Sequence, residues 1–311
     1  MSNPKTDKIL QSLEQYLLGK RRQLEYALGC LLAQGHLLIE DVPGVGKTTL
    51  AKSIANCIEA VFKRIQFTSD LLPSDLIGVT VFHRDNNEFV FQEGPIFTNV
   101  LLADEINRAN PKTQSALLEA MHDAQVSHDG KTMSLPTPFF VVATQNSKDN
   151  YGTFPLPESQ LDRFLMKIHL GYPAPAFEKK VIQGSYQQNF DEVPHISTEA
   201  LFAMQSEAKQ IHLSEEVLDY LYRIVHATRN HKAVKVGVSP RGGQALYRCC
   251  QSLAYIRGRD FVIPDDVIEL TRPVCGHRLL LKHHQLAGTV SGENATAEIL
   301  NEIVESVPRP V

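Results

Sequence analysis

Lys47 and Thr48 follow a Gly-containing turn, Pro43-Gly44-Val45-Gly46, which breaks the apolar run His36-Leu-Leu-Ile-Glu40 and opens a helical pattern through Ala60. Strand, turn and helix in that order are what a phosphate-binding loop requires. Successive backbone N–H groups, together with the positive end of the following helix, form a nest for an anion. The residues from Pro43 to Thr49 would line the nucleotide. The Lys47 ammonium would reach its β- and γ-phosphates, and the Thr48 hydroxyl would ligate Mg²⁺. Gly44 and Gly46 let backbone approach the phosphates closely. The general pattern has Gly at its first position, where this chain has Asp41.

Asp104 and Glu105 end a second apolar run, Val100-Leu-Leu-Ala103. Carboxylates at the C-terminal edge of a buried parallel strand sit where ligands bind in open α/β sheets. Asp104 would hold Mg²⁺ and Glu105 would take a proton from the attacking water; the alternative is a solvated acidic strand end. Asn146 closes the next apolar strand and would lie beside Asp104, orienting the lytic water, unless it is a turn residue. Arg163, in Leu161-Asp-Arg-Phe164, could place a guanidinium on a γ-phosphate, acting on a neighbouring subunit's nucleotide, or could form a surface pair with Asp162. Arg241 stands in the first turn of a helix, where the helix dipole disfavours a cation and an anionic ligand would rationalise one. Simple solvation would also explain Arg241, and the same holds for Arg108, three residues after Glu105. His277, His283 and His284 lack the partners and spacing of a zinc site and read as a solvated helix face. Cys249 and Cys250 are expected on two sides of one helix.

The elements that must position these groups alternate β and α up to about Tyr172. Helices are expected from Lys5 to Leu18 and Arg21 to Ala33, with strands at His36–Glu40, Lys63–Phe67, Asn99–Asp104, Thr137–Thr144 and Leu165–Leu170. Thr68 to Asp75 reads as a turn. Gly78 to Pro95 is a β-hairpin turning at Asp85-Asn86-Asn87, inserted into the alternation, and a second hairpin-like piece surrounds His128-Asp-Gly130. A helix runs from Pro111 to Ala124, between the Asn99–Asp104 strand and the second hairpin. Beyond Tyr172 only helical patterns remain: Ala176–Gln188, Thr198–Gln210, Ser214–Thr228, Pro240–Ile256, Pro264–Leu281 and Ala295–Glu305. Ser239 before Pro240 is an N-cap with proline in the first turn. The chain therefore divides into an α/β nucleotide-binding domain, residues 1–172, and an all-helical domain, residues 173–311.

Composition bounds the function. A length of 311 residues allows about two domains. A net charge of -4 leaves no global footprint for nucleic acid. No apolar run approaches the ~18 residues of a spanning helix, and the start lacks the apolar core of a signal peptide. Five cysteines, an odd number without C-x-x-C spacing, read as reduced thiols in a cytoplasmic protein.

Taken together, Asp41-Val-Pro-Gly-Val-Gly-Lys-Thr48, Leu102-Ala-Asp-Glu-Ile-Asn-Arg-Ala109, Ala143-Thr-Gln-Asn146, Leu161-Asp-Arg-Phe-Leu-Met-Lys167 and Gly237-Val-Ser-Pro-Arg241 resemble the AAA+ ATPases, and among them the MoxR family. The resemblance covers nearly the whole chain, and Asp41 is usual for that family. It implies a P-loop AAA+ core, a parallel sheet flanked by helices with a β-hairpin insert, followed by a C-terminal helical lid. Walker A falls at Lys47 and Thr48, Walker B at Asp104 and Glu105, sensor 1 at Asn146, the arginine finger at Arg163 and sensor 2 at Arg241. The hairpin at Gly78 to Pro95 resembles the helix-2 insert, and the stretch near His128 the pre-sensor hairpin. The resemblance further implies ATP and Mg²⁺ as cofactors and a homo-oligomeric ring, commonly a hexamer. It implies chaperone-like remodelling, or maturation of metal centres in a client protein, with a von Willebrand factor A domain partner supplied in trans. Two other classes fit the residues less well: a DNA-acting AAA+ motor, and a nucleotide-gated binding module with little turnover.

Overall fold

The computed structural model describes residues 3–85, 87–146, 152–183, 195–282 and 292–310. Asn3 caps the first helix, α1 (Pro4–Tyr16), by accepting from the Lys5 N–H at 3.0 Å, and Ile9, Leu10 and Leu13 bury its inner side. It is followed by α2 (Arg21–Leu32), β1 (Leu37–Glu40), α3 (Lys47–Cys57), β2 (Phe62–Gln66) and a short α4 (Pro73–Ile77) in the stretch expected to be a turn. The first hairpin is β3 (Gly78–His83) with β4 (Glu88–Glu93), and β5 (Val100–Asp104) returns to the sheet. Next come α5 (Pro111–Asp123), a second hairpin of β6 (Gln125–His128) and β7 (Lys131–Ser134), and β8 (Phe140–Gln145). A single-turn α6 (Glu158–Leu161) leads to β9 (Met166–Ile168).

Five of these strands form one sheet in the order β2-β5-β8-β1-β9, and every pairing in it is parallel. Its central strands are apolar up to their C-terminal residues because both faces are covered. Leu37, Ile39, Leu102 and Val142 pack with α1, α2 and α3. Leu38, Leu101, Ala103 and Val141 meet Leu117 and Leu118 of α5 and Phe164 on the other face.

The C-terminal part comprises α7 (Pro175–Ile182), α8 (Thr198–Lys209), α9 (Glu215–Asn230), β10 (Val234–Val236), α10 (Pro240–Ile256), α11 (Pro264–Cys275), β11 (Leu280–Leu281) and α12 (Gly292–Ser306). Besides its helices it carries a small antiparallel ribbon, β10 with β11. The helix expected to run to Leu281 stops at Cys275, two residues past Pro273, and the chain turns at Gly276 into a 3-10 turn. α10 lies against α2, and Leu24 and Leu28 share one buried cluster with Cys249, Leu253 and Ile256. Cys249 and Cys250 are both buried on this helix. Asn86, residues 184–188 of the helix expected after Ala176, His283 and His284 lie outside the described residues.

The two hairpins touch each other. The Thr80 hydroxyl is 3.1 Å from both His128 Nε2 and Asp129 Oδ2, and the Phe91 ring lies 4.9 Å from the His128 ring. Phe82 and Phe89 pair on the solvent side, with Phe89 74% exposed.

Candidate nucleotide site

The loop after β1 places Gly44 at φ 84° and Gly46 at φ 98°, both in the region that favours glycine. A Cβ on Gly46 would also stand 2.8 Å from the Leu17 side chain. α3 begins directly at Lys47, so its unpaired N–H groups and positive dipole end face the loop. Lys47 is buried and its Nζ donates to the Asp41 carbonyl at 2.8 Å. The Asp41 carboxylate explains the residue type at this position. It accepts from the Val42 N–H at 2.9 Å and from the Gly171 N–H, beyond β9, at 2.6 Å. Burial lowers the pKa of the neighbouring Lys20 ammonium, and the charge of Asp41 opposes that shift. Lys20 Nζ in turn donates to the Tyr172 carbonyl at 2.6 Å.

The parallel register of β5 with β8 sets Ala103 opposite Ala143, which brings Asp104 level with Thr144. The Thr144 hydroxyl donates to Asp104 Oδ1 at 2.6 Å and accepts from the Glu105 N–H at 2.9 Å. Glu105 adopts the left-handed conformation at φ 57°, rare for a side chain of this kind. Its carboxylate accepts from Gln66 Nε2 at 3.0 Å and pairs with Arg108 Nε at 2.9 Å. Arg64, two residues before Gln66 and so on the same side of β2, reaches Asp104 Oδ2 at 2.6 Å.

These groups converge. Pro43, Gly44, Gly46, Lys47, Thr48 and Thr49 line a cavity of about 410 Å³ whose opposite wall is Arg64, Gln66, Asp104 and Glu105. Val45 differs from its neighbours, since its side chain is buried in the core. Asn146 does not line this cavity; from β8 it is Thr144, not singled out in the sequence, that touches the acid. A second, more apolar cavity of about 220 Å³ shares Gly44, Gly46 and Thr49 with the first and is closed by Tyr16, Leu17 and Phe177. A Cβ on Gly19 would meet the Phe177 ring at 2.8 Å, so this wall is tightly set.

The donor set suits Mg²⁺. Hard oxygen ligands from Thr48 and Asp104 face one cavity, and the described residues hold no cluster of three or more His, Cys, Asp or Glu that could cage an ion unaided. An ion there would complete its shell with water and phosphate oxygens, as Mg²⁺ does.

Arg163 and Arg241 are elsewhere. Both line a cleft of about 940 Å³ between Gly35 and His36 at the N-terminal end of β1 and the start of α10. The P-loop follows the opposite end of that strand, roughly 13 Å away at about 3.3 Å per residue. Ser239 caps α10 as expected, accepting from the Gly242 N–H at 3.1 Å, and presents Arg241 in an exposed first turn. Arg163 is half-buried and donates to the Leu118 carbonyl. Its neighbour Asp162 does not pair with it. Asp162 Oδ1 takes Arg278 Nε at 2.6 Å, and its other oxygen lies 3.4 Å from the Ser239 hydroxyl. Arg278 is 3% exposed and also donates to the Phe164 and Leu165 carbonyls, tying the helical part to the segment that carries Arg163. His277, expected on a solvated face, is buried and hydrogen-bonded to the Phe164 carbonyl at 3.1 Å.

A five-stranded parallel sheet in this order, a P-loop after its fourth strand in space and an acidic pair at the end of β5 define a P-loop ATPase of the AAA+ class. Residues 36–166 match the family described as ATPase family associated with various cellular activities (AAA), and residues 226–303 match the AAA lid domain. Chaperone MoxR1 of Mycobacterium tuberculosis is 39% identical over 98% of this chain and 82% of its own length. An uncharacterised Bacillus subtilis protein is 43% identical over 99% of this chain and 97% of its own. The crystal structure of a candidate ATPase from Cytophaga hutchinsonii superimposes with a TM-score of 0.90 at 34% identity, covering 99% of this chain and 95% of that one. The chain belongs to the MoxR family of AAA+ ATPases.

Proposed function

We propose that this protein is a Mg²⁺-dependent ATP hydrolase whose active site is completed by a second copy of the chain. The observation that carries this reading is the separation of the two clefts: Lys47, Thr48, Asp104 and Glu105 share one, and Arg163 and Arg241 share another on the far edge of the sheet. The P-loop N–H groups and Lys47 bind the phosphates, and the apolar cavity closed by Tyr16, Leu17 and Phe177 takes the base. Thr48 and Asp104 would hold Mg²⁺, which when bound would supply positive charge to the phosphate oxygens. Glu105 takes the proton of the attacking water; Asn146, which stands outside the cavity, would have to turn into it to orient that water. Gln66 and Arg108 both donate to the Glu105 carboxylate, so it must exchange at least one of them for water before it acts. Arg163 and Arg241 of one copy supply positive charge to the γ-phosphate held by the next.

Residues 1–172 act in this reading as the nucleotide-binding domain and residues 173–311 as the lid. The assembly is a ring, taken as a hexamer, in the cytoplasm. Its work is chaperone-like remodelling or cofactor maturation of a client, with a von Willebrand factor A domain protein as partner. Among the described residues no helix is long and apolar enough to cross a membrane. The deciding experiment mixes two inactive variants. Lys47→Ala lacks a phosphate site but keeps its arginines, and Arg163→Ala is the reverse. Turnover restored on mixing supports a shared site; a mixture as inactive as its components sinks it.

A further inference from the structure

The nucleotide cavity contains a cation that the P-loop reading does not use. Arg64 projects from β2, an edge strand of the sheet, and lies opposite Leu102 of β5 in a parallel register that sets Gln66 opposite Asp104. Its guanidinium crosses to β5 and donates from Nη2 to Asp104 Oδ2 at 2.6 Å. The other oxygen, Oδ1, is committed to the Thr144 hydroxyl, whose oxygen also takes the Glu105 N–H. Oδ2 is therefore the oxygen with which Asp104 addresses the cavity. The Asp104 side chain is 13% exposed and that of Arg64 49%, so the carboxylate is fixed while the guanidinium stands at the rim on a long stem that can swing.

We infer that Arg64 is the resident counter-cation of Asp104, exchanged for Mg²⁺ only when a nucleotide brings the metal in. This rests on the P-loop reading above. A guanidinium and a hydrated divalent ion are alternative partners for one carboxylate oxygen. While the Arg64 charge is on Oδ2, a bare Mg²⁺ ion meets a neutralised pair and has little reason to shed water. The phosphates of an entering Mg–ATP change the balance in two ways. They supply most of the ion's ligands, and they offer the displaced guanidinium a new anionic partner across the same cavity, where Lys47 and Thr48 form the facing wall. Arg64 would thus serve both loads with opposite sign, excluding metal that arrives alone and attracting nucleotide. Gln66 makes the corresponding contact on Glu105 from the same side of β2, so one strand restrains both carboxylates.

The test titrates nucleotide-free protein with Mn²⁺ and counts bound metal by electron paramagnetic resonance. The expected result is that Arg64→Gln binds Mn²⁺ at least tenfold more tightly than the unaltered chain, and that adding Asp104→Asn removes the gain. Arg64→Gln should also bind metal-free ATP several-fold more weakly, a change of opposite sign that a purely structural role would not produce. Arg108→Gln removes the same charge from a nearby residue that contacts Glu105 instead, and it should gain much less Mn²⁺ affinity. Equal gains in the two variants would reduce the effect to a general field and overturn the inference, as would Mn²⁺ affinity unchanged in Arg64→Gln. Binding of a fluorescent ATP analogue with Mg²⁺ is measured alongside. Its retention with unchanged Mn²⁺ affinity removes only the Arg64 assignment, whereas its absence in the unaltered chain removes the P-loop reading itself.

Discussion

The cavity after β1 and the cleft before it are built on opposite principles. At the P-loop edge each charged group meets its complement from the same sheet edge: Lys47 the Asp41 carbonyl, Asp104 the Arg64 guanidinium, and Glu105 both Gln66 and Arg108. The other cleft is unbalanced. Arg163, Arg229, Arg241 and Arg248 line it, and Asp162, the acid among its described lining residues, is already occupied by Arg278. A wall of that kind lowers its electrostatic energy only when something anionic enters. In the function proposed above, the first is a site complete as a receptor and the second one complete only as a donor of charge.

Substitutions can break that contrast from either side. The largest effect is expected for Lys47→Ala, which removes the ammonium proposed to bind phosphate; ATP affinity measured by calorimetry should fall by about 100-fold or more. Unchanged affinity would return the loop to a plain strand-to-helix turn. Glu105→Gln should bind ATP as before and lose about 10³-fold in turnover, the size of a general-base contribution. Arg163→Ala and Arg241→Ala should each keep ATP affinity and lose about 10²-fold in turnover, and only at concentrations where copies associate. A loss that is independent of protein concentration would place these arginines on their own subunit's nucleotide.

Two smaller effects concern what holds the arginine cleft in shape. Asp162→Asn leaves the buried Arg278 guanidinium without its counter-charge and should cost about 3 kcal/mol in urea unfolding. Unaltered stability would mean that the carbonyls around Arg278 suffice. The last effect is one of pH. His36, at the floor of the cleft, accepts from the Val141 N–H at 3.0 Å through Nδ1 and faces the Met121 carbonyl at 2.9 Å through Nε2, an arrangement that needs the neutral ring. Burial lowers its pKa from 6.5 to about 4. The unfolded chain therefore takes up the proton first as pH falls. The stability contributed by neutral His36 is complete above pH 6.5 and is lost on descending toward pH 4, amounting to about 2 kcal/mol by pH 5. His36→Gln should flatten that part of the stability profile; an identical slope would assign it to other groups.

What the sequence disclosed and what it withheld follow from distance along the chain. The P-loop, the Asp104-Glu105 strand end, both hairpins and the Ser239 cap are short contiguous signals, and each is realised locally. Arg64, Gln66 and Thr144 carry no local signature. They matter only because β2, β5 and β8 are adjacent, and the register of those strands, not any motif, brings them to Asp104 and Glu105. The apolar cavity joins α1 to α7 across most of the nucleotide-binding region and was invisible for the same reason. Arg163 and Arg241 were each recognisable as candidates. That they face one cleft depends on how α10 is fastened to the core through Asp162 and Arg278. The Asp162–Arg163 surface pair that the sequence allows does not form; Asp162 takes Arg278 instead, which arrives from a segment expected to be helix and found as a turn.

The carboxylate of Asp41 can also be viewed as a mechanical joint. One oxygen pins the start of the loop that grips phosphate and the other pins Gly171, while the Asp41 carbonyl takes Lys47 and Lys20 fastens the adjacent Tyr172. The chain leaves the sheet at that point toward Phe177, which walls the apolar cavity. Gripping element and departing segment are thus keyed to one shaft with almost no free play. Any movement of the loop start would bear on Gly171 directly through one hydrogen bond.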